Sequence, residues 1–287
     1  MRLATLYSYS VLTVLIAGIQ LPAPAQNVLD GAYVPETNLT KRVIPYPHLR
    51  EADVMYKRRV WQEIDLRQKF NHPFYFPLDQ IRDRKNLFDV IMFGIEVEGS
   101  LTPYYAGPLG EQDEFQEELV LGSEKWRKTI GKMEYVAQTD EYGEKTGGMD
   151  STYVKVKAEE ITRYRIKEDW IWDKQRSERY VRIIGIAPMQ EKFKDGVSIG
   201  FKPIFWIYYP QARYVFANHE VYNTFNDAQR RTYEDLFQKR YFSSYIVKED
   251  NSFDRLIADY ARGLDALAES ERIQQELFNL EHDIWHY

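Results

Sequence analysis

The 287-residue chain carries a formal net charge of −6, 44% apolar residues and no cysteine. That length and apolar content can close the core of one large or two modest domains, which excludes a disordered chain. The missing cysteine excludes a thiolate nucleophile, a disulfide framework and a lipid-bearing cysteine behind a leader, and the negative balance excludes a general attraction to nucleic acid.

Met1-Arg2, an apolar run from Val11 to Ile19 and Leu21-Pro22-Ala23-Pro24-Ala25 form the three-part pattern of a secretory signal over residues 1–25, with cleavage expected after Ala25. The run is shorter than the ~20 residues of a membrane span, so the mature chain is expected outside the cytoplasm without a span of its own. Residues 26–49 hold Pro35, Pro45 and Pro47 and follow neither a helical nor a strand period. They predict an extended arm, either frayed or laid on a neighbour.

Residues 50–150 read as a helical and mixed N-terminal part. Tyr56, Val60 and Ile64 recur at i, i+4 and i+8 and predict a helix from Glu51, ending by Asn71-His72 because Pro73 disfavours helical backbone before it. A second helix is expected from Asn86 as cap, carrying Leu87, Val90, Ile91 and Ile95 and ending before Gly99. The acidic, turn-rich stretch from Gly107 to Glu118 predicts a loop. Glu141 to Asp150, with Gly143, Gly147 and Gly148, predicts another and a domain boundary.

Residues 151–250 read as an antiparallel β core. Thr162, Tyr164, Ile166, Trp170 and Trp172 alternate with Arg163, Arg165, Lys167 and Asp169, the period of a half-buried strand. Tyr180 to Ala187 supplies a hairpin partner. Phe201 to Tyr209 supplies a third strand, at an edge or starting after Pro203. A short helix capped by Asn226 is expected to turn Tyr233, Leu236 and Phe237 inward, followed by a strand over Phe242 to Val247. Ser252 is expected to open the longest helix, over 251–287, with Phe253, Leu256, Ile257, Tyr260, Leu264, Leu267, Ile273, Leu277 and Leu280 as its stripe. The fold class is therefore α+β: an antiparallel, aromatic-rich sheet with flanking helices and a long C-terminal helix.

Catalytic patterns are weak. Gly196-Val197-Ser198-Ile199-Gly200 matches the spacing of a nucleophile elbow, but it precedes a strand where the elbow needs a helix, so it predicts a turn between strands. His219-Glu220 lacks the second zinc ligand, because position 223 is Asn. His282 and His286 are one turn apart at a chain end that is expected to fray. Glu63 and Asp65 fall on different faces of the expected helix, and neither a phosphate loop nor a dinucleotide fingerprint is present. No catalytic, cofactor-binding or metal residues are assigned.

Several blocks carry a family resemblance: Arg59-Val60-Trp61-Gln62-Glu63-Ile64-Asp65-Leu66-Arg67, Asn71-His72-Pro73, Asn86 to Ile91, Glu168-Asp169-Trp170, Asp173 to Ser177, and Arg182 to Pro188. Phe205 to Pro210, Asn218-His219-Glu220-Val221 and Arg240 to Ile246 continue the series in order. Over residues 50–250 the chain resembles the gliding-motility component N family, GldN or PorN. The resemblance implies a periplasmic subunit of the type IX secretion system of Bacteroidetes. It implies assembly into a ring with an outer-membrane lipoprotein, the K subunit, and contact with the periplasmic part of the inner-membrane M subunit. It brings no cofactor.

The 22 Tyr, 15 Phe and 6 Trp are compatible with such a role, since aromatics and arginine favour the centres of protein interfaces. The residues expected to meet partners are Lys57, Arg58, Arg59, Trp61, Trp170, Arg176, Trp206, Tyr208 and Arg240. Trp61, Trp170 and Trp206 fit either a core or an interface. Lys41 to Lys69 holds eight basic and four acidic residues, and Glu249 to Tyr287 three basic and ten acidic. That asymmetry fits a head-to-tail contact between copies. The competing reading is a secreted carbohydrate-acting or cell-wall-binding protein with exposed aromatic platforms beside a carboxylate pair.

Overall fold

The computed structural model describes residues 41–81, 84–139, 145–194, 196–223, 226 and 228–284. The expected signal segment, the arm up to residue 40, Gly143 and His286 lie outside the described residues. Residues 41–50 run extended over this chain's own surface. Lys41 Nζ donates to Asp235 Oδ2 at 2.6 Å, Arg213 to the Ile44 carbonyl at 2.7 Å and Arg182 to the Pro47 carbonyl at 2.6 Å. The Arg213 guanidinium lies 4.1 Å from the centre of the Tyr46 ring. Side chains, not a ladder, tie the arm down.

The helix expected through Tyr56, Val60 and Ile64 is instead strand β1 (Val54–Asp65). Residues four and eight apart share a face in both geometries, so that spacing does not discriminate. Burial decides: Val60, Trp61, Gln62, Glu63 and Ile64 are all buried, which a strand covered on both faces achieves and a one-sided helix does not. Helix α1 (His72–Tyr75) and helix α2 (Leu87–Glu96) follow. Asn86 caps α2 as expected, its Oδ1 accepting from Asp89 N at 2.8 Å.

Strand β2 (Pro103–Tyr105) precedes the expected loop, and helix α3 (Glu124–Ile130) follows it, capped by Ser123. The Glu141–Asp150 loop is overturned in part. Gly131–Thr139 and Lys145–Lys155 form a hairpin, β3 and β4, in which Ala137 faces Met149 and Thr139 faces Lys145. Gly147 and Gly148 lie inside a strand beside a register shift, where glycine marks a bulge as readily as a turn.

Strands β5 (Ile161–Asp173), β6 (Glu178–Lys194), β7 (Val197–Pro203) and β8 (Phe205–Tyr208) join β1, β2 and the late strand β11 (Tyr245–Glu249) in the main sheet, whose order is β11-β1-β5-β6-β8-β2 with β7 also on β6. Pro203 splits the third expected strand in two: it ends β7, and β8 begins two residues later. Both halves pair with β6, through Met189 with Pro203 and Ile186 with Ile207. Helix α4 (Tyr209–Ala217) leads to a small ribbon of β9 (Glu220–Val221) and β10 (Arg231–Thr232), then helix α5 (Tyr233–Gln238). Thr232, not Asn226, caps α5, in a reciprocal box with Asp235. Asn226 instead accepts from Ala228 N, within a turn.

Strand β11 is Tyr245–Glu249, shifted along the chain from the expected position. The C-terminal helix is two pieces, α6 (Ile257–Tyr260) and α7 (Leu264–Ile284), broken at Gly263 with φ +60. The expected stripe breaks with it. Phe253 is 73% exposed and Leu264 84%, while Ser270, Ile273 and Leu277 are buried. One face of the sheet, through Tyr164 and Ile166, packs on Phe74, Ile91, Phe216 and Phe237 of α1, α2, α4 and α5. Further along that face, Val60 and Trp172 pack on Ile273 and Leu277 of α7.

Candidate interaction face

The opposite face of the sheet is built from charge. Antiparallel register sets Asp65 against Arg163, Glu63 against Arg165, Trp61 against Lys167 and Arg59 against Asp169. Each cross-strand pair with two charges thus joins opposite signs, the arrangement that stabilises neighbouring strands. Arg165 Nη2 lies 2.6 Å from Glu63 Oε1, and Arg163 Nη1 3.2 Å from Glu63 Oε2. Tyr245 on β11 donates to the same carboxylate at 2.8 Å. Arg59 binds Asp169 through Nε at 2.7 Å and Nη2 at 3.1 Å, and Lys57 Nζ adds a contact at 2.8 Å.

Burial pushes the Glu63 carboxyl up, but the Arg165 and Arg163 charges and the Tyr245 hydroxyl outweigh it and hold it below the usual carboxylate range. Asp65 and Asp169 are lowered in the same way against their own burial, Asp65 by Arg67 and Arg163, Asp169 by Arg59 and Lys57. Carboxyls held this low stay ionised at neutral pH. Neither Glu63 nor Asp65 therefore has the raised value of a general acid.

The middle of this face is roofed by the loop after β2. Lys167, 1% exposed, donates to Glu114 Oε1 at 2.7 Å and to the Asp113 carbonyl at 3.1 Å. Trp61 Nε1 donates to Asp113 Oδ2 at 2.5 Å. Phe115 of the same loop packs edge-on to Trp206, with ring centres 6.2 Å apart. Gly185 lies beneath that ring, since a Cβ there would meet Phe115 Cζ at 2.5 Å. Trp61, Trp206 and Ala187 make one buried cluster.

The structure gathers the sequence-selected residues into three places and leaves one apart. Lys57 and Arg59 meet on Asp169. Trp61 and Trp206 are core, at 5% and 1% exposure, with Tyr208 beside them and more open at 39%. On the helix-covered side Trp170 is half-buried, with the Arg179 and Arg240 guanidinium groups 4.9 and 5.7 Å from its ring centre. Arg58 shares that side and pairs with Glu249 and Glu276. Arg176, on the β5–β6 turn, stands alone, donating to Tyr180 at 3.2 Å.

The sequence reading missed the pairing of Glu63 with Arg163 and Arg165, of Asp169 with Lys57 and Arg59, and of Lys167 with Asp113 and Glu114. The signal was present: β1 and β5 carry charges of opposite sign in antiparallel order. It becomes readable once 54–65 is a strand. Among the described residues, no group of three His, Cys, Asp or Glu could hold a metal, and no helix is long and apolar enough to cross a membrane.

A main antiparallel sheet with helices on one side and a charge-laddered, tryptophan-backed face on the other, joined by two small two-stranded ribbons, defines an α+β protein. A search among curated proteins finds no match. The chain belongs to the GldN family, the gliding motility associated proteins, whose family model matches residues 49–286.

Proposed function

We propose that the chain is a periplasmic structural subunit of the type IX secretion and gliding-motility machinery, assembling with the outer-membrane lipoprotein K subunit into a ring. In this reading it also contacts the periplasmic part of the inner-membrane M subunit. Family membership over 49–286 supports the machinery, and the secretory pattern of residues 1–25 supports the compartment.

The observation that carries the assembly reading is the arrangement of cations and rings. Arg179 and Arg240 flank the half-buried Trp170, and Tyr208 opens beside the buried Trp206. Arginine and aromatic side chains held rigid at a surface are the groups that anchor protein interfaces, because little side-chain freedom is lost when they are covered. The test is to co-express the mature chain with the candidate lipoprotein and read the complex by size and mass. A ring-sized species containing both chains supports the proposal; two separately eluting proteins at every salt concentration contradict it.

A further inference from the structure

A hollow of about 220 Å³ lies between α3, the β6–β7 ribbon and the turn at Gly107. Four of the residues around it are lysines, Lys125 and Lys128 from α3, Lys192 from β6 and Lys202 from β7, and none is acidic. This occurs in a chain with a formal charge of −6.

Strand register creates the crowding. Lys192 faces Gly200 and Lys202 faces Gln190, so the two ammonium groups are diagonal neighbours on one face of the ribbon, an arrangement that costs stability when the charges are alike. Neutral oxygens hold both in place: Lys192 donates to Gln190 Oε1 at 2.6 Å and Lys202 to the Pro108 carbonyl. Among the described residues neither forms an ion pair, whereas Arg59, Arg165 and Lys167 on the candidate interaction face all do. Lys125 is fixed by Glu117 and by the Tyr105 ring, 3.8 Å below it, and Lys128 pairs with Glu124 one turn back at 2.6 Å, so the cations of the hollow without a carboxylate partner are Lys192 and Lys202. Burial pushes both Lys192 and Lys202 below the ordinary lysine range, and the charge of Lys202 lowers Lys192 further.

We propose that this hollow is a binding site for a dianionic phosphoryl group, held between Lys125, Lys128, Lys192 and Lys202. Lysine ammonium groups act as point charges that suit a phosphoryl group approached from several sides, while the planar arginine fork matches carboxylate and phosphate alike. No arginine lines the hollow. The hollow is open to solvent on one side and has room for a phosphoryl group and its ester oxygen. The same chemistry is offered by a soluble phosphate ester and by a lipid headgroup.

The test titrates the full mature chain with glycerol 3-phosphate by calorimetry. In parallel, the chain is sedimented with phosphatidylcholine vesicles with and without phosphatidic acid. The wild type, K192Q/K202Q, K192R/K202R and, as a control on the β5–β6 turn, K174Q are compared. We expect the wild type, K174Q and K192R/K202R to bind, and K192Q/K202Q to bind at least about tenfold more weakly. The K192Q/K202Q thermal midpoint is expected to be unchanged or higher, because a repulsive pair has gone, which separates loss of the site from loss of the fold. Vesicle binding that disappears in K192Q/K202Q assigns the group to a lipid. Glycerol 3-phosphate binding that disappears without any vesicle binding assigns it to a soluble ester. Failure of the wild type to bind either probe, or equal binding by K192Q/K202Q, overturns the proposal.

Discussion

Arg240, just past the end of α5, holds the fully buried carboxylate of Glu168 on β5 through two bonds, Nη1 to Oε2 at 2.7 Å and Nη2 to Oε1 at 3.2 Å. Its backbone sits at φ +54, and the Tyr241 N–H returns to the Leu236 carbonyl at 2.8 Å, closing the helix in a left-handed cap. One residue thus terminates α5 and neutralises the buried Glu168. Replacing Arg240 with Met leaves a buried charge short of its cation and is expected to cost about 3 kcal/mol. The check is urea denaturation, and a loss under about 1 kcal/mol contradicts this account.

The charge ladder makes stability depend on pH. The folded-state values of Glu63, Asp65 and Asp169 are depressed. Their contribution is therefore complete above the unfolded carboxyl values, about 4, and is lost as pH falls through the lower folded values. Thermal midpoints between neutrality and pH 3 should fall more steeply for the wild type than for E63Q. Parallel curves count against the ladder.

Helix α7 covers an edge of the sheet. Ser270 Oγ accepts from Ile246 N at 3.0 Å, satisfying a β11 donor that does not pair with β1, and Ile273 and Leu277 seal the contact. Uncovered strand edges recruit other strands. I273A is expected to cost about 2–4 kcal/mol and to produce concentration-dependent association during unfolding, read by light scattering. A variant that unfolds reversibly at wild-type stability is the opposite outcome.

Arg58 meets Glu249 and Glu276 of the acidic C-terminal segment within one chain, the latter at 3.1 Å. Part of the charge asymmetry expected to join neighbouring copies is therefore already spent internally. Reversing Lys57, Arg58 and Arg59 to Glu should lower the thermal midpoint as well as any assembly, so that triple variant does not isolate the interface. R176A and Y208A do. Both side chains are partly or fully open, and each change is expected to stay within about 0.5 kcal/mol in stability while weakening partner binding. A loss of fold in either contradicts that placement.

The alternation of Tyr164 and Ile166 against Arg163 and Arg165 was enough to read β5 as a strand, because a two-residue period has no helical counterpart, but not to show that its charged face is covered as well, with Lys167 and Asp169 buried. Asn86 was readable as a cap for the same local reason. Val60 and Ile64 were not, since a spacing of four satisfies both geometries and only tertiary burial chooses. The break at Gly263 was legible in principle, yet a long apolar stripe masked it. Of the candidate residues, Arg240 and Trp170 were chosen for their side-chain types, but the buried Glu168 that joins them was not. A carboxylate in a sequence carries no sign of whether water or a guanidinium surrounds it.

The most direct measurement of the central claim is the mass of the species present when the purified chain is mixed with the proposed lipoprotein partner, compared with R176A/Y208A. The account predicts a high-mass species containing both chains for the wild type, and a smaller or absent one for the variant at equal thermal stability. A wild-type chain that stays apart from the lipoprotein across protein and salt concentrations contradicts it.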